Sequence, residues 1–202
     1  MSKVTVTNHL TLDGVMQAPG RPDEDRRGGF THGGWAQADN DAVMASAMGA
    51  GMAQGGPLLF GRRTYEDFAA IWPNQTENPF TAVLNSMQKY VASTTLADPL
   101  PWVNSTLLAG DAADAVAALR AQPGKNITIL GSGELIQSLM RRNLIDEYLL
   151  MIHPIVLGSG RRLFTDDGAF ATLRLVESKV TTTGVIIAIY QPKEPTVGGA
   201  AS

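Results

Sequence analysis

The sequence contains no cysteine among its 202 residues. This absence excludes disulfides, thiolate nucleophiles and thiolate metal sites together. Histidine is also scarce, and His9, His32 and His153 do not follow a metal-ligand spacing. We therefore predict that the protein uses no catalytic metal.

Concentrated charge of one sign is missing as well. The chain has 16 basic and 19 acidic residues, a formal net charge of -3, and no basic run longer than a pair. Nucleic acids and anionic membranes are bound through concentrated positive charge. The composition thus indicates neither partner and favours a small-molecule substrate.

Long hydrophobic runs are absent too. No segment approaches the roughly 18 to 20 apolar residues of a membrane span, and the start, MSKVTVTNHLTLDG, lacks the apolar core of a signal peptide. We expect a cytoplasmic protein. With 44% hydrophobic residues the chain predicts one domain over residues 1–192, followed by a disordered tail at 193–202 that has nothing to bury.

The sequence does contain alternating strand and helix patterns. Strands are predicted at 3–9, 58–60, 89–92, 106–108, 127–130 and 147–152, and helices at 39–54, 63–71, 111–122 and 132–142. The first helix has Asp39 or Asn40 as its predicted cap, and the third has Asp111. Residues 173–191 predict a hairpin around Gly184. This order predicts a three-layer α/β/α domain with a mostly parallel central sheet and an antiparallel C-terminal hairpin.

One long irregular segment interrupts this alternation. Residues 17–37, QAPGRPDEDRRGGFTHGGWAQ, are rich in glycine, proline and charge. A loop of this length inside a compact domain is usually functional or mobile. We interpret it as a candidate lid.

The stretch PLLFGRRTYEDF passes from an apolar strand through Gly61 to Arg62, Arg63 and Thr64 at a helix start. Free backbone N–H groups, the helix dipole and guanidinium groups all favour a phosphate there. Solvated surface arginines are the alternative.

A second glycine turn, Gly131, Ser132 and Gly133, follows the strand at 127–130. Its glycines would let the backbone approach a pyrophosphate, although Ile136 stands where the dinucleotide fingerprint has a third glycine. Simple packing is the alternative. Ser93 and Thr94 follow another strand and either bind a phosphate or end the strand through local bonds.

Three carboxylates are candidate proton donors. Asp13 follows the first strand and precedes Gly14, so a turn role is the alternative. Asp39 and Asp41 stand at a helix start, where capping is the alternative.

Two ring side chains are candidate substrate-binding residues. Trp35 either closes over a planar ligand or fills the core. His153 lies near a strand end, where a structural histidine is the alternative.

The motifs TLDGV, LLFGRRTYEDF and ILGSGELIQSLMRRNLIDEYLLMIHPIVLGSGRRLF, with the closing hairpin, resemble the dihydrofolate reductase superfamily. The resemblance covers about residues 3 to 191 and is strongest from Leu130 to Phe164. It points to the branch that contains the reductase domain of the riboflavin-biosynthesis deaminase-reductase and its stand-alone relatives.

The resemblance implies a dihydrofolate-reductase-like fold that binds NADPH. By this resemblance the adenosine 2′-phosphate falls on Gly61, Arg62, Arg63, Thr64, Ser93 and Thr94. The pyrophosphate falls on Gly131, Ser132, Gly133 and Glu134, and the nicotinamide lies over Leu12, Asp13, Gly14 and Met16. The resemblance also suggests a homodimer through the apolar run EYLLMIHPIVLG, for which an interior strand is the alternative.

We therefore expect an NADPH-dependent reductase that acts on a small heterocyclic, carbonyl or imine substrate. Residues 42–54 contain no acid, unlike the pterin-binding helix of true dihydrofolate reductases, so folate is not the expected substrate. One alternative is the 5-amino-6-(5-phosphoribosylamino)uracil reductase of riboflavin biosynthesis, which needs a second phosphate site, and Arg161 and Arg162 are the only further basic pair we identify for it. Another alternative is a catalytically idle nucleotide-binding or oligomerisation module.

Overall fold

The computed structural model describes residues 1–53, 55–166 and 168–193. Eight strands form one sheet in the order β4-β3-β2-β5-β1-β6-β8-β7. The strands are β1 (Val4–Thr11), β2 (Leu58–Gly61), β3 (Lys89–Ala92), β4 (Ser105–Leu108), β5 (Ile127–Leu130), β6 (Glu147–His153), β7 (Leu173–Val180) and β8 (Ile186–Pro192).

Five α-helices connect or flank these strands. They are α1 (Ala42–Ala53), α2 (Arg62–Ile71), α3 (Pro79–Ser86), α4 (Ala112–Ala121) and α5 (Gly133–Arg141). Short 3-10 helices occur at Arg27–Gly29, Gln37–Asp39 and Trp72–Asn74.

Strands β1 to β6 run parallel, and β7 and β8 add an antiparallel pair at one edge. The predicted α/β fold class is therefore confirmed. The β5-α5-β6 unit places β1 between its two strands. Chain segments distant in sequence are thereby brought to one edge of the sheet.

Apolar residues pack on both faces of this sheet. On one face, α4 and α5 contribute Val116, Ile136 and Leu139 to a cluster with Val6 and Ile129. On the opposite face, Met44 of α1 packs with residues of β6 and β8, and α2 and α3 cover β2 and β3. Helices on both faces make every strand between them a buried element, which explains the nearly continuous apolar runs.

The predicted elements agree with the observed ones to within one to three residues at each end. Helix α3 was not predicted, although Asn78 followed by Pro79 is a start signal: the Asn78 side chain accepts a hydrogen bond from the Phe80 N–H. The predicted cap of α1 was wrong. Asp41, rather than Asp39 or Asn40, accepts from the Met44 N–H.

Two further expectations concern the ends of segments. The expected end of the first helix, Gln54, and residues 194–202 of the expected tail lie outside the described residues. Within the described part of the chain, no helix has both the length and the apolar character needed to cross a membrane.

Candidate active site

The two glycine turns lie against each other at the carboxyl edge of the parallel strands. The Gly61 N–H donates to Ser132 Oγ at 2.9 Å, across 71 residues of sequence. A side chain at Gly131 would come within 3.5 Å of Thr64 Cγ2. The starts of α2 and α5 therefore face one shared region, as ligand sites of open parallel sheets do.

A slot opens between β1 and β5 beside these turns. Their pairing ends at Thr7 and Leu130, whereas β1 continues along β6 as far as Thr11. Beyond Leu130 the chain turns away, so the described structure leaves residues 8–11 of β1 without a strand partner on the β5 side.

Met16 lies beside this slot. Its sulfur contacts Asn8 Nδ2 at 3.6 Å, and a Cβ at Gly133 would lie only 2.7 Å from it. The close packing of Met16 therefore depends on glycine at 133. The preceding turn exposes Leu12, whose exposed fraction is 63%, and Gly14 adopts a positive φ of 78°.

Three arginines from separate segments surround the carboxylate of Glu134 at the start of α5. Glu134 Oε1 lies 2.5 Å from Arg161 Nη2, 3.5 Å from Arg63 Nη1 and 4.0 Å from Arg27 Nη1. All four side chains are well exposed. One carboxylate among three guanidinium groups leaves an excess of positive charge at a helix N-terminus, which favours an anion.

A second cationic position lies next to the end of β3. Arg62 pairs with Glu66 one turn along α2, at 2.9 Å. Because Gly61 and Ala92 are register partners, Arg62 and Ser93 follow neighbouring strand ends. The Ser93 hydroxyl accepts from the Thr95 and Leu96 N–H groups, so the local-bond alternative is present in this structure. Thr94 follows in the same turn.

The carboxylate of Asp13 is engaged in a turn. It accepts from the Thr11 hydroxyl at 2.6 Å and from the N–H groups of Leu157 and Gly158, and Arg162 lies 3.5 Å away. Its pKa is lowered to about 2, chiefly by the Thr11 hydrogen bond. These contacts favour the turn role over proton donation, since the group stays ionised near neutral pH.

Asp41 is also engaged by structural contacts. One oxygen caps α1 through Met44, and the other accepts from the N–H and hydroxyl of Thr182. The Thr182 hydroxyl bond, followed by the cap, lowers its pKa. Capping is thus the favoured interpretation for Asp41 as well.

Asp39 instead lies at one end of a hydrogen-bonded chain that continues through His153 to His9. Its Oδ2 lies 2.7 Å from His153 Nδ1, and His153 Nε2 lies 2.9 Å from His9 Nδ1. The side chain of His153 is completely buried, while that of Asp39 is 23% exposed. Burial, followed by the neighbouring His153, lowers the pKa of His9 to about 4. His9 therefore stays uncharged near neutral pH.

The ring of His153 is fully buried, as the structural-histidine alternative expects. Its direct contact with substrate stays a prediction. Trp35 packs edge-on against it, with ring centroids 5.2 Å apart, and donates its indole N–H to Gln17 O. Trp35 also packs on the cluster of Val15, Ala18 and Phe30, as the core alternative predicts.

The loop at 17–37 is closely tied to its surroundings. Arg21 forms a two-pronged contact with Asp67 of α2, at 2.5 and 3.4 Å. Gln17 Nε2 donates to the carbonyls of Asp25 and Arg27 within the loop. The loop therefore bridges from the end of β1 to α2, a position from which a lid would act; its movement stays a prediction.

A pocket of about 530 Å³ lies at the other edge of the sheet, near the strand starts. Its lining includes Ser2, Gly56, Gln88 and Lys125. It contains none of the predicted site residues. Because parallel sheets bind ligands beyond their carboxyl ends, we place the candidate site at the opposite edge.

Sequence reasoning missed two residues that the fold brings to this edge, Arg27 at the Glu134 cluster and His9 in the histidine chain. Arg161 was a candidate only together with Arg162, for a substrate phosphate, and its contact with Glu134 was not predicted. Arg27 and Arg161 lie 134 residues apart, and no local pattern connects them. Both arginines lie in glycine-rich loops, a feature visible in the sequence. That feature is too common to identify a binding residue.

Comparison with known proteins adds the following relatives. The family model of the RibD C-terminal domain matches residues 2–187. The Bacillus subtilis (strain 168) protein YyaP, described as uncharacterized, is 30% identical over 140 residues, or 66% of this chain and 72% of YyaP. The uncharacterized protein YwjB of the same organism is 30% identical over 127 residues, 60% of this chain and 66% of YwjB.

Solved structures show the same fold. A candidate riboflavin biosynthesis protein of Shewanella sp. PV-4 has a TM-score of 0.69 at 23% identity, covering 95% of this chain and 99% of that chain. A pyrimidine reductase-like protein of Corynebacterium diphtheriae has a TM-score of 0.61 at 14% identity, covering 96% of this chain and 92% of that chain. Enterococcus faecalis dihydrofolate reductase, complexed with NADP(H), has a TM-score of 0.60 at 12% identity, covering 95% of this chain and 97% of that chain.

Proposed function

The chain belongs to the RibD C-terminal domain family, and on this premise we propose that it is an NADPH-dependent reductase. In this proposal it transfers hydride to the carbon of a C=N or C=O group in a small polar molecule. The family assignment supports a reductase in general terms. The cofactor and the substrate class are our inference.

The contact between the two glycine turns is the observation that carries the proposal. Gly61 and Ser132 are hydrogen-bonded, so the N-termini of α2 and α5 are available to a single ligand. NADPH has phosphates at two places, the adenosine 2′-phosphate and the pyrophosphate, and its nicotinamide ring lies beyond the pyrophosphate. The two helix starts and the slot beside β1 have the same order along the sheet edge.

The residues around the edge fit this ligand chemically. The arginines around Glu134 suit a pyrophosphate, which would compete with that carboxylate for Arg63 and Arg161. Arg62, beside Ser93 and Thr94, suits a terminal 2′-phosphate. Leu12, Gly14 and Met16 would contact the nicotinamide at the slot.

When bound, NADPH supplies the hydride, and the protein contributes binding, orientation and exclusion of water. Arg63 and Arg161 would hold the pyrophosphate, and Arg62 would hold the 2′-phosphate, through charged hydrogen bonds. Packing of Met16 on Gly133 shapes the slot. The loop at 17–37 is tied to α2 through Arg21 and Asp67 and would cover the approach from that side.

The riboflavin-pathway alternative receives no specific support from the geometry. It would need a second phosphate site, for which Arg161 and Arg162 were the candidate pair. In the structure they diverge: Arg161 turns to Glu134, whereas Arg162 donates to the Asp13 carbonyl at 2.8 Å. The pair therefore does not form an independent cationic cluster.

The proposal is tested by titrating the protein with NADPH and NADH and following the fluorescence of the reduced nicotinamide. We expect NADPH to bind more tightly by about 10-fold to 100-fold, since charged hydrogen bonds to the 2′-phosphate contribute about 1.5 to 3 kcal/mol. Equal, weak affinities would remove the proposed phosphate site. Tight NADPH binding without NADPH oxidation against a panel of cyclic imines, ketones and dicarbonyls would instead favour the idle module.

Replacement of one arginine sharpens this test. Arg62→Ala should weaken NADPH binding by about 10-fold or more and leave NADH binding nearly unchanged, because NADH lacks the 2′-phosphate. Arg142→Ala is the matched control, since Arg142 pairs with Asp114 on the surface of α4. An equal loss for both dinucleotides in Arg62→Ala would contradict the role assigned to this arginine.

A further inference from the structure

We infer that His9, His153 and Asp39 form a proton relay that ends at the slot, with His9 as the group that protonates the substrate. This inference rests on the proposed reductase function. It replaces the three aspartates by a histidine as the terminal donor. Asp39 becomes the end of the relay that faces solvent.

His9, His153 and Asp39 form one continuous chain of contacts. Two ring-nitrogen contacts, 2.9 Å between His9 and His153 and 2.7 Å between His153 and Asp39, connect three side chains from β1, β6 and the 3-10 helix at 37–39. Each distance is that of a hydrogen bond. Only Asp39 at one end and His9 at the other reach beyond the buried His153 ring.

His9 lies beside the slot. It lies in the part of β1 that extends past β5, between Asn8, which contacts Met16, and Leu10, which belongs to the α5-face core. Side chains alternate along a strand, so His9 points to the opposite face of the same slot. It is partly exposed, and Nε2 has no hydrogen-bond partner among the residues that the structure describes.

The surroundings of the His153 ring isolate this chain of contacts. The groups that reach the His153 ring by hydrogen bonds are His9 and Asp39, and the Trp35 ring covers it edge-on. The carboxylate nearest to Asp39 in the sequence, that of Asp41, accepts a hydrogen bond from the Thr182 hydroxyl. On the α1 side the neighbours of β6 are apolar, with Met44 and Val185 in one cluster. Among the residues that the structure describes, a proton on this chain is therefore shared by His9, His153 and Asp39.

The proposed reduction consumes one hydride and one proton. Before reaction, His9 is neutral, with its proton on Nε2 and its Nδ1 directed at His153. A bound dinucleotide would supply hydride to the substrate carbon, and the His9 Nε2 proton would go to the substrate nitrogen or oxygen. A proton would then move from His153 Nε2 to His9 Nδ1, and Asp39 would pass one proton from solvent to His153 Nδ1.

The exposure of His9 is tested by acylating the resting protein with diethyl pyrocarbonate, which attacks uncharged imidazole nitrogens. Mass spectrometry should find His9 and the exposed His32 acylated and His153 untouched. NADPH at 100 times its Kd should slow acylation at His9 by up to about 100-fold, the fraction of free sites. His32 should react at an unchanged rate and is the internal control.

Coupling along the chain is tested by NMR of the imidazole nitrogens. In the wild-type protein the His9 and His153 signals should change together with pH. Asp39→Asn removes the negative charge beside His153 Nδ1, so the His153 signals should change, and the His9 signals should change with them. His32→Gln is the matched control and should leave both rings unchanged.

A kinetic measurement completes the test. With diacetyl as a carbonyl probe, His9→Gln should reduce kcat by about 100-fold or more while the Kd for NADPH stays within twofold. The relay would be overturned if His9 were not acylated, or if the NMR signals of His9 and His153 changed independently with pH. Either result would hold whichever carbonyl probe is used in the kinetic measurement. Failure of NADPH to bind, with the rings still coupled, would overturn the reductase function instead.

Discussion

At the scale of single residues, the surroundings of a carboxylate or imidazole decide its role. Asp13 and Asp41 have lowered pKa values because hydroxyl and backbone donors surround them. Asp39 faces a buried histidine instead. All three were equal candidates by residue type, and only their partners separate a turn, a cap and the end of a relay.

The low pKa of His9 predicts how stability depends on pH. Its pKa falls from 6.5 in the unfolded chain to about 4 in the folded protein. Between these values the unfolded state binds the extra proton, so stability decreases as the pH falls. Urea unfolding at pH 6.5 and at pH 4 should therefore show a loss of up to about 3 kcal/mol from this group.

The His9→Gln variant isolates this contribution, because other groups also titrate in the same range. The difference in unfolding free energy between wild type and variant should change with pH by that amount. The same difference at both pH values would mean that His9 is not held uncharged by the fold. His32→Gln, at an exposed position, should follow the wild type.

At the scale of elements, α1 is the helix least supported by its own sequence. It contains Gly49 and Gly51, and Met44 is its one buried residue. Neither glycine has a neighbouring atom within 4 Å of an added Cβ. The low helix stability therefore comes from the glycines themselves, and the packing around α1 does not require glycine at either position.

Gly51→Ala should stabilise the protein by about 0.5 to 1 kcal/mol, because alanine loses less backbone entropy in a helix. Chemical denaturation measures the change. Gly56→Ala is the contrasting variant, since its Cβ would lie 2.0 Å from the Asn126 carbonyl oxygen. Gly56→Ala should lower the free energy of unfolding. A higher stability of Gly56→Ala, or a lower stability of Gly51→Ala, would contradict the packing described.

The loop at 17–37 depends on a contact between elements, Arg21 with Asp67. Arg21→Ala should increase hydrogen exchange in the loop and cost about 1 kcal/mol, as expected for a half-exposed ion pair. A double-mutant cycle with Asp67→Ala measures the coupling. Exchange that rises equally in an Arg142→Ala control would show that the effect is not specific to this contact.

At the scale of the whole molecule, one bound dinucleotide would connect both halves of the sheet edge. NADPH at 100 times its Kd should stabilise the folded state by about 2.7 kcal/mol. For a chain of this size that corresponds to a rise in Tm of roughly 5 to 10 °C. Scanning calorimetry measures it, and no shift at saturation would contradict the proposed site.

Association belongs to the same scale. Residues 147–153 of the apolar run at 147–158 form β6, which β1 and β8 flank, so the interior-strand interpretation accounts for the composition of that part. The expected homodimer stays a prediction. Strand β7 offers one free edge, with Leu175, Val176 and Val180 exposed. Sedimentation should give twice the mass of one chain if the prediction is right.

The sequence by itself determined the order of elements and the fold class. Apolar runs, turn glycines and caps such as Asp111 are local signals, and the Asp111 side chain does accept from the N–H groups of Ala113 and Asp114. The resemblance to a reductase family was likewise visible in motifs. The start of α3 was missed because Asn78 and Pro79 also suit a turn.

Only the tertiary structure decided which of these residues meet. Strand order placed β1 between β5 and β6, which joined His9 to His153 across 144 residues. It also gathered Arg27, Arg63 and Arg161 on Glu134. Such meetings depend on the register and crossover of distant strands, and no local pattern in the chain encodes them.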